Sequence, residues 1–173
     1  MASILFKNEL DSLIENLAAG SEEAFTELYH QTSAGVYAYA LSILKNAHDA
    51  EDVLHDCYIR IHESAVNYQS QGKPMAWIFT IARNLCFKLL EQKKNIAQLP
   101  FDPATEMWDP DDKLLVEACL KILTDEERQI VVLHAVAGMK HRQIGEFLSL
   151  PLSTVLSKYH RSIKKMRTHL GKE

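Results

Sequence analysis

Apolar residues recur at helical spacing along most of this chain, and one stretch without that spacing divides it into two helical regions. The first apolar face has the i, i+3, i+4, i+7 order of an amphipathic helix, with Leu10, Leu13, Ile14 and Leu17. Between residues 93 and 112 the order stops, and three prolines and five acidic residues take its place. Six Gly and five Pro in 173 residues are too few for the tight turns of a sandwich or barrel. The sequence therefore predicts an all-α fold with an N-terminal helix bundle over residues 1–92 and a C-terminal helix-turn-helix domain over 113–173, joined by a flexible acidic linker over 93–112.

Basic residues are concentrated at the end of the chain. Residues 151–173 carry six Lys or Arg and one acid, whereas the other 150 residues carry thirteen Lys or Arg and twenty-two acids. The formal net charge of −4 is therefore about +5 in this segment and −9 elsewhere. A basic helix at the end of an acidic chain is typical of a nucleic-acid contact at one end and a different partner for the body.

Composition also disfavours membrane and disulfide-rich classes. No apolar run reaches the roughly eighteen residues that span a membrane, and the first residues lack the pattern of a signal peptide. Cys57, Cys86 and Cys119 are odd in number and far apart, unlike a disulfide framework or a zinc clip. We expect three buried thiols, no direct membrane insertion and a cytoplasmic location.

The last two predicted helices have the layout of a helix-turn-helix. A short helix over residues 141–148 precedes a turn, and Ser153 is predicted to cap a longer basic helix. One face of that helix is apolar, with Val155, Tyr159, Ile163, Met166 and Leu170. The opposite face presents the candidate DNA-binding residues Thr154, Ser157, Lys158, Arg161, Lys164 and Lys165. These side chains suit phosphates and base edges if the helix enters a major groove, whereas a solvated basic face is the simpler alternative.

Several segments together resemble one family. They are LI at 13–14, AFTELY at 24–29, DAEDVLHD at 49–56, AWIFTIARNL at 76–85, LTDEER at 123–128 and STVLSK at 153–158. In this order they resemble the extracytoplasmic-function group of bacterial sigma factors over nearly the whole chain.

The resemblance implies a two-domain initiation factor without catalytic residues or cofactors. Its partners would be bacterial core RNA polymerase, promoter DNA and an anti-sigma factor. The first domain is expected to bind the β′ clamp helices and to melt and read the −10 element. The second domain is expected to bind the β flap and to read the −35 element.

The resemblance also implies roles for individual residues. The residues expected to face polymerase from the third helix are Asp52, His55 and Asp56, the last two standing where the family commonly has Gln and Glu. The residues expected to meet the −10 element from the fourth helix are Trp77, Thr80, Arg83, Asn84 and Lys88. Asn84 is the preferred base contact, and Arg83 and Lys88 are phosphate candidates. Solvated acids on the third helix and core packing of Trp77 are the alternatives.

The basic helix departs from the family pattern at three positions. Ser153, Leu156 and Lys158 stand where the family usually has Gly, a basic residue and Arg. Leu156 cannot pair with phosphate, so we expect weaker DNA binding across all sequences. The acidic linker, for its part, suits the positively charged RNA exit path of polymerase, with a solvated tether as the alternative.

Two other functions remain open from the residues alone. A conventional helix-turn-helix regulator would share the DNA contact but would leave the segments at 49–56 and 76–85 without a role. A di-metal carboxylate enzyme would use Glu27 with His30 and Asp52 with His55, each pair three residues apart on a helix. Asp52 and His55 lie opposite the apolar stripe of their helix, so they are predicted to point outward and we expect no metal site.

Overall fold

The computed structural model describes residues 2–93 and 121–171, with side chains from residue 9 onward. All eight regular elements in those two ranges are helical, which confirms the predicted all-α class. The N-terminal ones are α1 (Ala2–Ala18), α2 (Glu22–Leu44), α3 (Ala47–Ser64), a 3₁₀ turn (Ala65–Asn67) and α4 (Pro74–Lys93). The C-terminal ones are α5 (Asp125–Ala135), α6 (His141–Leu148) and α7 (Leu152–His169). The predicted linker and Cys119 lie outside the described residues, apart from Lys93 itself.

Side-chain caps begin two helices of the bundle. The Ser21 hydroxyl accepts a hydrogen bond from the Ala24 N–H at 3.1 Å and begins α2. Asn46 caps α3 in the same way, because its side-chain oxygen accepts from the Asp49 N–H at 2.9 Å. Between α1 and α2, Gly20 has a φ of +92°, which a residue with a Cβ rarely adopts. These local signals fix the register of each apolar face.

The apolar faces predicted from helical spacing meet in one core. Leu10, Ile14 and Leu17 of α1 are buried, and so are the inward positions of α3, namely Val53, Cys57 and Ile61 with Ala65 of the 3₁₀ turn. The Cys57 and Cys86 side chains lie within this core, and burial raises the pKa of both thiols to about 12. They therefore behave as small apolar residues, as predicted for these two cysteines.

A capping box begins the C-terminal domain. The Thr124 hydroxyl accepts from the Glu127 N–H at 3.3 Å, and the Glu127 carboxylate accepts from the Thr124 N–H at 3.0 Å. The prediction that Ser153 caps the last helix was wrong, because α7 begins at Leu152. The Pro151 carbonyl accepts from both the Thr154 and Val155 N–H groups, so Ser153 lies inside the first turn.

The two domains pack against each other through α2 and α5. The Arg128 side chain of α5 donates to the Ser42 carbonyl of α2 at 3.3 Å, and Lys45 pairs with Asp125 at 2.8 Å. Farther along the contact, the Phe147 ring of α6 lies edge-on to rings of the N-terminal domain, Tyr39 and Phe79. Among the described residues, the buried apolar side chains form one continuous cluster across both domains.

Gly145 makes the tight turn between α6 and α7 possible. A Cβ at this position would lie 2.8 Å from the Leu150 carbonyl oxygen, and that carbonyl is backbone that cannot swing aside. By contrast, a Cβ at Gly35 of α2 would meet its neighbours at 3.5 Å, an ordinary van der Waals distance.

We therefore expect Gly145→Ala to lower the free energy of unfolding by about 1–3 kcal/mol, the usual cost of overpacking. Gly35→Ala is the matched control, expected to be neutral or stabilising because Ala favours helix. Chemical denaturation followed by circular dichroism measures both. Equal stability of the two variants would contradict this account of the turn.

Candidate protein and nucleic-acid interfaces

The exposed side of α3 carries the acidic residues predicted to bind a protein partner. Asp52, His55 and Asp56 are all exposed and lie opposite the buried stripe of the helix. His48 Nε2 lies 3.7 Å from the Asp52 carboxylate one turn away. The three side chains are thus available to a partner on one face, as the sequence predicts.

An apolar groove that the sequence did not reveal adjoins this acidic face. It has a volume of about 480 Å³ and is lined by Phe25, Tyr29, His55, Tyr58, Ile59, His62 and Glu63. Ile59 is 55% exposed there, although it is a large aliphatic residue. Its position off the buried stripe of α3 is the sequence signal that could have identified it.

The predicted −10 face of α4 divides into an exposed part and a packed part. Thr80, Asn84 and Lys88 are exposed, at spacings of four residues that place them on one side of the helix. Trp77, in the same row, is half-buried with its ring centroid 4.8 Å from that of Tyr68. The Tyr68 hydroxyl donates in turn to the Asp11 carboxylate, so the tryptophan packs against the segment that precedes α4.

Two cations near this face contact the C-terminal domain. Arg83 Nη1 donates to the Phe147 carbonyl at 3.3 Å, and its guanidinium lies 5.7 Å from the centroid of the Phe147 ring. Lys73 Nζ lies 2.7 Å from the Glu146 carboxylate. In this arrangement Arg83, a predicted phosphate contact, is therefore already occupied by α6.

The exposed face of α7 differs in part from the one predicted. Ser157, Arg161 and Lys164 are exposed as predicted, and Thr154 is half-buried. Ser153 and His160 are not among the predicted DNA contacts, yet both lie in the middle of the exposed face. Their positions follow from counting 100° per residue once the buried Val155 and Ser162 are known.

The remaining two predicted cations of α7 turn toward α5. Lys158 Nζ lies 2.5 Å from the Glu126 carboxylate, and Lys165 Nζ lies 2.7 Å from that of Glu127. Burial alone would raise the pKa of Glu127, but the hydrogen bonds from Lys165 and from the Thr124 N–H hold it below its usual value. These lysines thus position the helix, which the sequence could not reveal because their partners lie more than thirty residues away.

The packed side of the helix-turn-helix holds a histidine pair. The rings of His134 (α5) and His141 (α6) stack with centroids 4.0 Å apart, and the Tyr159 ring of α7 contacts both edge-on. His134 Nδ1 lies 2.8 Å from the Met139 carbonyl, while His141 Nε2 is buried and has no hydrogen-bond partner among the described residues. Burial, with the neighbouring His134 and His160 imidazoles, holds the pKa of His141 below 6.5.

The metal-enzyme alternative gains no support from this geometry. Glu27 and His30 are exposed on α2, and Asp52 and His55 are exposed on α3. Within residues 2–93 and 121–171, no three His, Cys, Asp or Glu side chains lie close enough together to hold a metal ion. No helix in the same described ranges is long and apolar enough to cross a membrane.

The depressed pKa of His141 predicts a stability that decreases in acid. The unfolded chain binds this proton near pH 6.5, whereas the folded chain binds it only at lower pH. The stability that neutral His141 contributes to the fold is therefore fully present above about pH 6.5. It is lost as the pH falls through the lowered pKa of His141 in the folded chain. We expect His141→Phe, which keeps a ring in the stack, to flatten the decrease in Tm between about pH 7.5 and pH 5.5. His30→Phe, at an exposed position on α2, is the control and should leave the slope unchanged; equal slopes in all three proteins would contradict the prediction.

Comparisons with known proteins match both parts of the chain to one family. The family described as Sigma-70 region 2 matches residues 28–96, and Sigma-70, region 4 matches residues 113–166, together more than half of the chain. The ECF RNA polymerase sigma factor SigK of Mycobacterium tuberculosis (strain ATCC 25618 / H37Rv) is 26% identical over 176 residues, covering 94% of each chain. SigK of Mycolicibacterium vanbaalenii is 27% identical over 176 residues, covering 94% of this chain and 90% of its own.

Two solved structures share the fold over both domains. CnrH in complex with the cytosolic domain of CnrY aligns with a TM-score of 0.69 at 20% identity, covering 95% of this chain and 99% of that one. The sigma factor RpoE in complex with the anti-sigma factor NepR from Bartonella quintana aligns with a TM-score of 0.67 at 18% identity, covering 85% and 96%. With both sigma-70 regions matched in order and sigma factors of this group as relatives along its length, the chain belongs to the extracytoplasmic-function group of the sigma-70 family of transcription initiation factors.

Proposed function

We propose that this sigma factor binds bacterial core RNA polymerase in the cytoplasm and uses three separate helix faces, on α3, α4 and α7, to start transcription at its own promoters. The observation that carries the proposal is the presence of these three faces, exposed in one chain and lying within the two matched sigma regions. The polymerase makes the phosphodiester bonds, so the factor itself needs no catalytic group or cofactor.

The α3 face is the proposed contact with the β′ clamp helices. Asp52 and Asp56 lie one helical turn apart, so they present two carboxylates to arginine or lysine on the partner, with His55 beside them. One exposed ion pair contributes little, about 0–1 kcal/mol, but several on one face add specificity. The C-terminal domain would contact the β flap.

The α4 face is the proposed reader of the melted −10 element. The Asn84 amide both donates and accepts hydrogen bonds, which suits the edge of a base that has left the stack. Its side chain is exposed between Thr80 and Lys88, and Lys88 supplies a positive charge for the adjacent phosphate. Trp77 is the weaker candidate for contact with a base, since its ring already packs on Tyr68.

The α7 face is the proposed reader of the −35 element. Ser157, Arg161 and Lys164 project from one exposed side of the second helix of the helix-turn-helix, the helix that enters the major groove in this motif. Thr154 stands at the edge of that side. Lys158 and Lys165 can reach phosphates only by leaving Glu126 and Glu127, so we assign them a positioning role first.

An anti-sigma factor is the proposed regulator. The structural neighbours CnrH and RpoE were solved with CnrY and NepR, respectively, the latter an anti-sigma factor. The apolar groove beside His55, with Ile59 exposed, adjoins the proposed clamp contact. A protein seated there would exclude polymerase by occupying the same face of α3.

Charge reversal on α3 tests the polymerase contact. We expect Asp52→Arg/Asp56→Arg to reduce run-off transcription with bacterial core polymerase more than tenfold, because it replaces attraction with repulsion on the clamp. Glu15→Arg/Glu91→Arg is the matched control, since it makes the same change in net charge at exposed positions on α1 and α4. Circular dichroism confirms folding of both variants.

Three outcomes of this experiment have different meanings. Loss with the α3 variant alone supports a sigma factor that binds polymerase through α3. Equal loss in both variants would contradict the α3 contact. Tight promoter binding without any core-dependent initiation would identify a conventional helix-turn-helix regulator instead.

Removal of the Asn84 amide tests base capture. We expect Asn84→Ala to slow promoter opening by about tenfold, because one base loses its hydrogen-bonding partner. Gln92→Ala removes an exposed amide from the same helix and should have no effect. Permanganate reactivity of unpaired thymines measures opening. On DNA that is already melted, no opening is needed, and the variant holoenzyme should still bind more weakly than the wild type. A defect that disappears on melted DNA would contradict base capture by Asn84.

A further inference from the structure

The DNA-facing end of α7 presents apolar side chains where a basic face was expected. Leu152 is the first residue of the helix and is 44% exposed. Leu156 lies one turn further on and is half-buried. Among the described residues, neither leucine belongs to the set of apolar side chains packed against the buried core, although Leu148, Leu150 and Tyr159 do.

The two leucines form one apolar strip beside the polar strip of the same helix. Residues four apart share a face of a helix, and their Cβ atoms are about 5–6 Å apart. This separation is shorter than two base-pair steps of about 3.4 Å each, so both leucines can lie over neighbouring base pairs. Ser153 and Ser157, both exposed, follow each leucine by one residue. Farther along, Arg161 and Lys164 supply the charge that holds the helix against phosphates.

The major groove offers one apolar group that fits such a strip. The C5-methyl of thymine is the one apolar group that the major groove presents beside its donors and acceptors, and apolar side chains read it by contact. The residues near the N-terminus of the second helix are those that reach base edges in a helix-turn-helix. Leu152 and Leu156 stand at that end, within the first two turns.

We propose that Leu152 and Leu156 make this protein's −35 recognition depend on the C5-methyl of at least one thymine. The proposal rests on the proposed −35 contact of α7. A basic side chain in place of Leu156 would have strengthened binding to every DNA sequence. The leucine instead favours sequences that carry a thymine methyl at the contacted base.

Replacement of thymine by deoxyuridine tests this directly, because it removes the methyl and leaves every hydrogen bond of the base pair. DNA is first selected from a library randomised at the −35 element, both with the holoenzyme and with the protein alone. Each thymine of the selected site is then replaced in turn, and dissociation constants are measured by fluorescence anisotropy. We expect about a fourfold loss of affinity at one or two thymines, the transfer value of one buried methyl group.

Leucine variants connect that loss to these residues. Leu156→Ala and Leu152→Ala should weaken binding to thymine-containing DNA and should abolish the further effect of deoxyuridine at the contacted base. Leu170→Ala is the matched control, because Leu170 follows the C-terminal end of the same helix and is 37% exposed. It should leave the discrimination intact. Leu156→Arg should strengthen binding to all sequences, steepen the salt dependence by about one phosphate contact and lose the methyl discrimination.

Several results would overturn the proposal. One is indifference to deoxyuridine at every position, and another is a deoxyuridine effect that both leucine variants retain. A third is a loss of initiation in the leucine variants that is equally large on thymine-containing and on deoxyuridine-containing DNA. That result would assign the leucines to a contact with protein, such as the polymerase flap. If the wild type selects no DNA, both the proposal and the −35 contact fail. If it selects DNA but does not initiate with core polymerase, only the sigma role fails, and the measurements on the protein alone still decide the proposal.

Discussion

The buried guanidinium of Arg128 is the interaction on which the arrangement of the two domains depends. Its side chain is only 8% exposed, and a buried charge is costly unless it is matched by acceptors. Among the described residues, the carbonyls of Leu123 and Ser42 and the carboxylate of Asp125 accept hydrogen bonds from it. Because Ser42 belongs to α2, one of these hydrogen bonds joins the two domains. Removing one acceptor would leave a buried cation short of a partner, which is far costlier than the loss of an exposed ion pair.

The acidic first turn of α5 also holds α7, the second helix of the helix-turn-helix, in place. Glu126 and Glu127 follow Thr124 in the capping box, and they also hold Lys158 and Lys165 of α7. The same short segment therefore begins one helix, docks it on the N-terminal domain through Asp125, and orients another. As a result, α7 exposes Ser153, Ser157, His160 and the cations Arg161 and Lys164, and Leu152 is exposed at its N-terminal end.

The sequence predicted the features that depend on neighbours along the chain. Helical spacing and caps such as Ser21 and Asn46 are local, so the apolar faces of the bundle were predicted correctly from their order alone. The burial of Arg128 could not be predicted, since its acceptor on α2 lies 86 residues away. The ion pairs of Lys158 and Lys165 with α5 could not be predicted for the same reason. Charge alone does not reveal which partner a lysine will meet.

The contact between the domains has a buried cation at the α5 end and exposed or half-buried ones at the α6 end, and the α6 end covers part of the proposed −10 surface. At the α6 end, Lys73 and Glu146 form an exposed pair of about 0–1 kcal/mol, and Arg83 makes one hydrogen bond to a carbonyl.

Separation at the α6 end would also expose the Phe147 ring and uncover part of the buried Tyr39 and Phe79 rings on which it packs. Separation at the α5 end would instead uncover Arg128. The predicted phosphate contact of Arg83 therefore requires α6 to move away from this side chain first. A protein that binds both domains at once would oppose that movement by adding its own binding energy to the α6 end of the contact.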